Sequence, residues 1–469
     1  MSNPFLALAM TLSTGLGVAL LGALDLPAAA DKTDPALITF HDETGQIRTL
    51  DVNGPLDLTN PFFQELGANG RTCFSCHRPA QGWTITPESV RQRFDESAGL
   101  DPIFRNNDGS NCEGADLSTL KRRRKAFSLL LNRGLIRVGL DVPPNAEFVI
   151  DSVDDPYECR ASLTGVSAYR RPLPATNLRF LSAVMWDGRE SSPTTTILQD
   201  LTKQADDATT GHAQASSHLT EQEAHDIVAF ETGLFTAQAH DNRAGALRAD
   251  GAKGGPVALS LQPFYPGIND PVGLNPTGAP FDPSAFTMFD AWTNLSEPHR
   301  RDAVDHARSA IVRGERLFNS LPITISGVAG LNDEIFPSGV AVPGSFTGTC
   351  TTCHDTPNAG SHSVKAPLNI GLTDASRRTA DMPLYTLRRL STGETMTTTD
   401  PGRAMTTGKW ADIGKFKGPV LRGLAARAPY FHNGFARSLE DVLDFYDTRF
   451  NLGLTAQEKA DLVAFLRAL

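Results

Sequence analysis

Two five-residue segments of this chain combine side chains that can bond a cofactor. They share the pattern Cys-x-x-Cys-His and run Cys73-Phe-Ser-Cys76-His77 and Cys350-Thr-Thr-Cys353-His354. Two thiols at this spacing can add to the vinyl groups of one porphyrin, and the adjoining imidazole then reaches its iron. A thioredoxin-type pair needs a βαβ context, which the flanking sequence lacks, and a zinc site needs four ligands close together. We therefore expect two covalently bound haem c groups, with His77 and His354 as iron ligands.

Two further cysteines, Cys112 and Cys159, have neither a histidine nor another cysteine nearby. In an oxidising compartment two such residues most simply pair, and the closed loop would stabilise the native state by about 3 to 4 kcal/mol. Two free buried thiols are the alternative.

The composition is that of a globular protein without a nucleic-acid partner. The chain has 469 residues, enough for two or three domains, and 40% of them are hydrophobic, enough for a packed core. Only 20% are charged and the formal net charge is -10. A phosphate backbone would therefore meet no strong positive field.

The first 30 residues predict export. Residues 5–24 are apolar and are followed by a small-residue segment that ends in Ala28-Ala29-Ala30, which is typical of a signal peptide cleaved after Ala30. No Lys or Arg precedes the apolar run, so an N-terminal membrane anchor is the alternative. We expect a periplasmic protein with no stable membrane span.

An internal repeat predicts two related haem domains in tandem. Residues 219–234 and 454–469 match at most positions, and each segment has a Thr followed three residues later by Glu, the signature of a helix N-terminus. The predicted domains cover 31–242 and 298–469. A Gly- and Pro-rich connection, 243–297, joins them and is expected to wrap their interface.

Few segments alternate as strands do, so the predicted fold is mostly α, with two cytochrome c-type domains, long loops and an interface between the domains. Helices are expected over 117–131 and 298–318. The first carries a basic run, 121–125, which we interpret as a solvated face; contact with haem propionates or with an acidic donor protein is the alternative.

Four further segments resemble one family. They are Met185-Trp-Asp-Gly-Arg189, Lys417-Gly-Pro-Val-Leu-Arg422, Ala428-Pro-Tyr-Phe-His-Asn-Gly434 and Ser438-Leu-Glu-Asp-Val442. With the two Cys-x-x-Cys-His motifs they resemble the di-haem cytochrome c peroxidases, which include the MauG-type enzymes. The resemblance covers nearly the whole mature chain and is loosest over 78–169, where an insertion holds both leftover cysteines.

The resemblance implies roles for several residues. The first haem would meet hydrogen peroxide and the second would relay electrons, with Trp186 between them as a bridge; a core aromatic is the alternative for Trp186. The family places a Gln and then an acidic residue after this Trp, but 199–214 has no Glu at the expected place. We expect His212 to replace it, because peroxide cleavage needs a group of near-neutral pKa that moves a proton between the two oxygens. A surface histidine is the alternative.

The resemblance also bears on the metal ligands. No His lies between Arg78 and Gly211, so the first iron has no obvious sixth ligand there. For the second iron the family position falls on Tyr446, as in MauG-type enzymes; the alternatives are three methionines, Met382, Met396 and Met405.

Family members usually hold calcium between the domains, with backbone carbonyls here at 427–429 and an Asn side chain. The Asn position falls on Arg171 or Pro172, neither of which can ligate a cation, although the guanidinium could replace the charge. Calcium stays possible but is not favoured.

These expectations define a peroxidase that reduces hydrogen peroxide with electrons from a small periplasmic cytochrome c or cupredoxin. One alternative is a MauG-like oxidase of a protein or organic substrate. Another is a non-catalytic electron carrier in which both irons are six-coordinate. A homodimer is possible, since dimers are common in the family.

Overall fold

A computed structural model describes residues 29–31, 34–159, 163–296, 302–336 and 339–469. The predicted signal peptide, 1–30, lies outside the described residues except for its last two. Among the described residues, no helix is both long enough and apolar enough to cross a membrane.

The described ranges contain ten α-helices. They are α1 Pro87–Ser97, α2 Leu120–Ala126, α3 Ser128–Arg133, α4 Ile197–Gly211, α5 Glu221–Gly233, α6 Pro256–Ser260, α7 Ala303–Ser320, α8 Ala404–Thr407, α9 Leu439–Phe450 and α10 Ala456–Arg467. Helices α5 and α10 are the predicted repeat. Each begins after a Thr whose hydroxyl accepts from the backbone N–H of a Glu three residues on, and that Glu carboxylate accepts from the Thr backbone N–H. The two predicted helix starts are thus confirmed.

Twelve β-strands also lie in the described ranges. They are β1 Ala29–Asp31, β2 Asp34–Asp42, β3 Gly45–Asp51, β4 Ile136–Asp141, β5 Phe148–Asp154, β6 Gly165–Arg170, β7 Leu234–Asp241, β8 Gly245–Ala246, β9 Ile323–Ser326, β10 Ser345–Gly348, β11 Leu384–Arg389 and β12 Thr395–Thr398. They form a five-stranded antiparallel sheet of order β1-β2-β3-β7-β8, a three-stranded sheet β12-β11-β5, and two strand pairs, β4-β6 and β9-β10.

The prediction of a mostly α fold is therefore wrong, because the residues that the structure describes are only 32% helical, with 18% strand. Two of the strand pairings, β5 with β11 and β3 with β7, join segments far apart in the chain, so the local sequence does not reveal them. In the three-stranded sheet Ile150 pairs with Leu387, and in the five-stranded sheet Ile47 pairs with Gln238. Strand formation depends on such cross-strand neighbours more than on local propensity.

The helix predicted over 117–131 is divided in two at Phe127, between α2 and α3. Phe127 is fully buried and packs against Phe104, with ring centroids 5.2 Å apart, so tertiary packing overrides the helical period. The basic run lies on α2 and is mostly exposed, and Arg124 pairs with Asp95 at 2.7 Å, which agrees with a solvated face. The helix predicted over 298–318 is α7, whose N-cap is Asp302; its predicted start lies outside the described residues.

Buried clusters join the connection and both halves of the chain. One combines α7 and α10 with aromatic side chains of the connection, among them Phe286 and Trp292. Another combines Phe235 of the first half with Ala359 and Val420 of the second. The proposed domain limits stay a prediction, and the shared clusters position the two Cys-x-x-Cys-His motifs within one folded body.

Candidate functional site

The two Cys-x-x-Cys-His motifs fold into the same local structure. Each begins with one turn of 3₁₀-helix, Cys73–Ser75 in the first half and Cys350–Thr352 in the second. The threonine before each turn donates its backbone N–H to a hydroxyl three residues on, at 3.0 Å in both cases. The backbone N–H of each motif histidine donates to the carbonyl of the first cysteine, at 3.1 and 3.2 Å. The turn therefore brings two thiols and one imidazole together, as attachment of one porphyrin requires.

Both histidines are oriented to bind a metal through Nε2. Nδ1 of His77 lies 3.1 Å from the carbonyl oxygen of Trp83, and Nδ1 of His354 lies 2.7 Å from that of Gly360. An Nδ1–H donated to a carbonyl leaves the Nε2 lone pair available as a ligand. Burial lowers the pKa of His77 to about 4 and also lowers the pKa of His354, which favours the neutral ring in both.

Sequence reasoning missed the two carbonyls that orient these rings. Trp83 and Gly360 each lie six residues after the motif histidine. This equal offset in the two halves is the sequence signal that could have identified the two carbonyls.

The first motif lies at a mostly apolar cavity. The thiols of Cys73 and Cys76 and the imidazole of His77 contribute to its wall. Helices α4 and α5 and the segment 172–185 supply most of the rest, chiefly Pro172, Leu173, Pro174, Ala175, Leu178, Leu181, Val184, Met185, Leu201, Ala205, Ala208 and Ile227. A porphyrin is a large apolar group with two attachment points and one axial ligand here, so these residues fit a haem c.

His212 lies on the same cavity, immediately after α4. Its Nδ1 is hydrogen-bonded to Oδ2 of Asp108, and the other Asp108 oxygen is paired with the guanidinium of Arg71. Burial alone would raise the pKa of Asp108, but the bonds to His212 and Arg71 hold it below its usual range. The carboxylate is therefore ionised and fixes Nδ1 as the protonated nitrogen, which leaves Nε2 of His212 as a proton acceptor.

Sequence reasoning missed Asp108 and Arg71. Asp108 belongs to the insertion that departs most from the family, 104 residues before His212. No local pattern connects the two residues, and only the fold brings them together.

Trp186 lies where the two halves meet. Its Nε1–H donates to the carbonyl of Arg171 at 2.8 Å, and its own carbonyl accepts from the backbone N–H of Lys417 at 2.8 Å. Its ring centroid is 6.2 Å from that of His432, which stacks on Phe416 at 4.1 Å. The ring is half-buried, at a junction between segments of both halves. Its role as an electron bridge stays a prediction.

A buried ion cluster holds the Trp186 turn against the second half. Arg170 donates to Asp187 at 2.5 Å and to both oxygens of Asp400 at 2.7 and 2.9 Å, and all three side chains are almost completely buried. Arg170 lowers the pKa of Asp187 to about 2 against the opposing effect of burial. Removing one partner from such a cluster typically costs about 3 to 5 kcal/mol.

Arg171 lies where the resemblance places a calcium ion. Its guanidinium donates to three backbone carbonyls, those of Ile85 at 2.6 Å, Arg133 at 3.0 Å and Arg427 at 3.0 Å. The adjacent Pro172 offers only a carbonyl, which accepts from the Thr84 hydroxyl at 2.7 Å. Across the described ranges, no group of three or more His, Cys, Asp or Glu side chains could hold a metal ion.

Tyr446 lies near the second motif, on α9. Burial raises its pKa, and the thiols of Cys353 and Cys350 raise it further, which places the phenol within electrostatic range of both. Its ring lies among Phe431, Phe445 and Phe450, with centroids 6.3, 5.3 and 6.2 Å away.

The three methionine alternatives lie in other parts of the fold. Met382 packs with Leu129 and Tyr169, Met405 is buried in the cluster of Trp410, and Met396 is exposed on β12. Ligation by Tyr446 stays a prediction.

The two leftover cysteines, Cys112 and Cys159, are joined as a disulfide, with their Cα atoms 5.4 Å apart. The predicted pairing is confirmed. It closes a loop with a sequence separation of 47 residues inside the insertion.

Three comparisons relate the chain to known proteins. No family model matches the chain. Cytochrome-c peroxidase IdrP2 of Denitromonas iodatirespirans is 34% identical over 145 residues, and cytochrome-c peroxidase IdrP1 of Pseudomonas sp. (strain SCT) is 34% identical over 140 residues. Each match covers 26% of this chain, and the chain spans 37% and 36% of the length of these relatives. A solved MauG-like protein associated with microbial copper homeostasis aligns over 89% of this chain and 90% of its own at 16% identity and a TM-score of 0.38.

The resemblance to cytochrome-c peroxidases that the motifs predict is confirmed by the two curated relatives. Over about a quarter of its length the chain is related to cytochrome-c peroxidases, which are haem oxidoreductases.

Proposed function

We propose that this protein is an exported di-haem peroxidase that reduces hydrogen peroxide to water. The observation that carries the proposal is the cavity of the first motif, where the attachment residues and His77 share one space with the His212–Asp108–Arg71 chain. Cys73, Cys76 and His77 would hold one haem c, and Cys350, Cys353 and His354 would hold the other. A bound haem c supplies an iron that can bind peroxide and a ring that can carry electrons.

His212 would move the proton that peroxide cleavage requires. Its Nε2 accepts a proton from one peroxide oxygen and returns it to the other, which then leaves as water. Asp108 holds the ring in the tautomer that makes Nε2 the acceptor, and Arg71 holds Asp108 in place. One peroxide takes up two electrons and two protons and yields two waters. Because the His212 side chain is 38% exposed, the protons can come from solvent.

Electrons would enter near the second motif and pass through the junction at Trp186. A small periplasmic cytochrome c or cupredoxin is the proposed donor. The hydrogen bonds of Trp186 to Arg171 and Lys417 and the ion cluster at Asp187 hold that junction rigid, which suits electron transfer.

The position of Tyr446 favours a second candidate, a MauG-like oxidase of a protein or organic substrate. A phenolate stabilises ferric iron and would lower the potential of the second haem. A third possibility is an electron carrier without catalysis, in which both irons would be six-coordinate.

One experiment separates the three candidates. Resting-state electron paramagnetic resonance of the purified holoprotein reports the ligands of each iron, and stopped-flow mixing with peroxide and a reduced small cytochrome c or cupredoxin reports turnover. A peroxidase shows a high-spin first iron and oxidises two donor molecules per peroxide. Peroxide reaction that oxidises an added tryptophan-containing substrate but neither donor favours the oxidase. Two low-spin irons with no peroxide reaction would overturn both enzymatic candidates.

A further inference from the structure

Glu231 is a buried acid at the cavity of the first motif. It lies on α5, its exposed fraction is 6%, and it contributes to the wall of the cavity that contains Cys73 and His77. Its Oε2 has no hydrogen-bond partner among the described residues. A buried carboxyl group without a partner is costly, so its presence needs an explanation.

The internal repeat shows that the fold does not require an acid at this position. Helices α5 and α10 align without a gap in the repeat, and Glu231 corresponds to Leu466. Leu466 is buried in the core formed with α7. An apolar side chain therefore fills the equivalent position in the second half, and the acid is particular to the first.

The environment of Glu231 favours the protonated acid. Burial raises its pKa to about 8. Helix α5 packs against α4, β3, β7 and two short helical turns, 61–63 and 178–180. The titratable or charged side chains on these elements are Arg48, Asp51, Arg179, Asp200, Lys203, Asp206, Asp207, His240 and Asp241, and burial alone accounts for the shift. The charge of an ionised Glu231 acts on the thiol of Cys73, whose pKa is raised first by burial and then by this carboxylate.

We propose that Glu231 binds one proton when the first haem gains one electron, and releases that proton when the electron leaves. The inference rests on haem attachment at Cys73 and Cys76, which is part of the proposed function. A haem held by Cys73, Cys76 and His77 would share the cavity with Glu231. Its oxidised form would add positive charge there and favour the ionised carboxylate, whereas reduction would remove that charge. The electron comes from the redox donor, and the proton comes from solvent through the cavity. Net charge in the buried site is therefore nearly constant over the redox step.

The test is the pH dependence of each haem potential in the holoprotein. If one proton is taken up with each electron, the potential of the haem falls by about 59 mV for each unit that the pH rises. We expect this slope for the first haem of the wild type between the two pKa values of Glu231, within a scan from about pH 5 to about pH 10. We expect the second haem, whose half of the chain has Leu466 at the equivalent repeat position, to lack that slope.

The decisive variant is Glu231→Gln, which keeps the shape and can still donate a hydrogen bond but cannot titrate. The slope of the first haem should disappear in that interval. Besides Glu231 itself and the attachment residues Cys73, Cys76 and His77, the cavity has five other charged or titratable groups: Arg71, Asp108, His212, Lys417 and Arg427. All of them are unchanged in the variant, so the difference between the two proteins belongs to Glu231. An equal slope in the two proteins, or a flat wild type, would overturn the inference.

Glu315→Gln is the matched control. Glu315 is also buried, with a pKa raised by burial to about 7, but its oxygens accept from the backbone N–H of Phe289 and it lies outside the first cavity. This variant should keep the slope of the first haem.

Two further measurements distinguish a failure of the Glu231 inference from a failure of the proposed function. Haem content, measured on denatured protein, shows whether the first motif carries haem; a protein without it contradicts the proposed function as well. The redox-difference infrared spectrum of the wild type should contain the C=O band of a protonated carboxyl group that is lost on oxidation. Absence of that band would overturn the inference even if Glu231→Gln failed to fold.

Discussion

The hydrogen-bonded pair of His212 and Asp108 makes the sharpest prediction about catalysis. Replacing His212 by Ala removes the group that accepts the peroxide proton, and loss of such a group typically slows the step by about 10² to 10⁴-fold. Because the His212 side chain is 38% exposed, water can partly replace it, so we expect a loss near the lower limit, about 10²-fold. Both haems should stay attached, since His212 belongs to neither attachment motif.

Asp108→Asn tests the orientation of the ring. An Asn amide can donate to Nδ1, which would move the ring proton to Nε2 and leave no acceptor toward peroxide. We expect a loss of about 10 to 10²-fold. In the His212→Ala background the same change should add little, because the residue that Asp108 orients is already absent.

Asp108→Asn should also reduce stability. The guanidinium of Arg71 loses its only described carboxylate partner but keeps its bonds to the carbonyls of Pro102 and Ile103. We therefore expect the free energy of unfolding to fall by about 3 kcal/mol, the low end of the range for breaking a buried pair.

The assay is stopped-flow formation of the first peroxide-derived spectral species, with haem content measured on each variant. The matched control is His218→Ala. His218 also pairs with an aspartate, Asp206 at 2.7 Å, but its side chain is 80% exposed and it lies outside the first cavity. The control should react at the wild-type rate. An unchanged rate in His212→Ala, or independent effects of His212→Ala and Asp108→Asn in the double variant, would refute the proposed relay.

The pair of His212 and Asp108 also predicts how the free energy of unfolding depends on pH, and the pKa of Asp108 sets the sign. Its folded-state pKa is held below its usual range, chiefly by His212 and Arg71 against the effect of burial. The stabilisation is therefore fully present above the pKa of the unfolded state and is lost as the pH falls through the folded-state pKa. The wild type should lose stability in acid over that interval, and Asp108→Asn should lose less.

Three further predictions concern ligands and cross-links. Tyr446→Phe should abolish a low-spin His/Tyr signal and raise the potential of the second haem; a methionine-to-iron charge-transfer band in the wild type would contradict ligation by Tyr446. If the Arg171 guanidinium takes the place of calcium, chelators should leave the thermal midpoint of unfolding unchanged. Arg171→Ala leaves three carbonyls without their donor and should lower the free energy of unfolding by about 3 kcal/mol or more. A midpoint that falls when chelator is added would refute this role of the guanidinium. Mass spectrometry of unreduced peptides should find Cys112 linked to Cys159, and reduction should cost about 3 to 4 kcal/mol; two free thiols would contradict the pairing.

The sequence by itself determined the features whose chemistry is local. Two thiols and an imidazole within five residues define an attachment motif wherever the chain places it. The sequence also predicted the helix starts at Thr220 and Thr455, because the N-cap Thr and the Glu that completes the capping box are only three residues apart. The pairing of Cys112 with Cys159 followed from counting, since the other four cysteines had been assigned.

Only the tertiary structure decided the features that depend on distant neighbours. Strands β5 and β11 pair across more than two hundred residues, so neither segment by itself identifies its partner. The bond between Asp108 and His212, the three carbonyls around Arg171 and the burial of Glu231 are also non-local. In each case the behaviour of the side chain depends on its burial, its hydrogen-bond partners and the charges near it. That environment comes from packing of segments far apart in the chain, which no local pattern encodes.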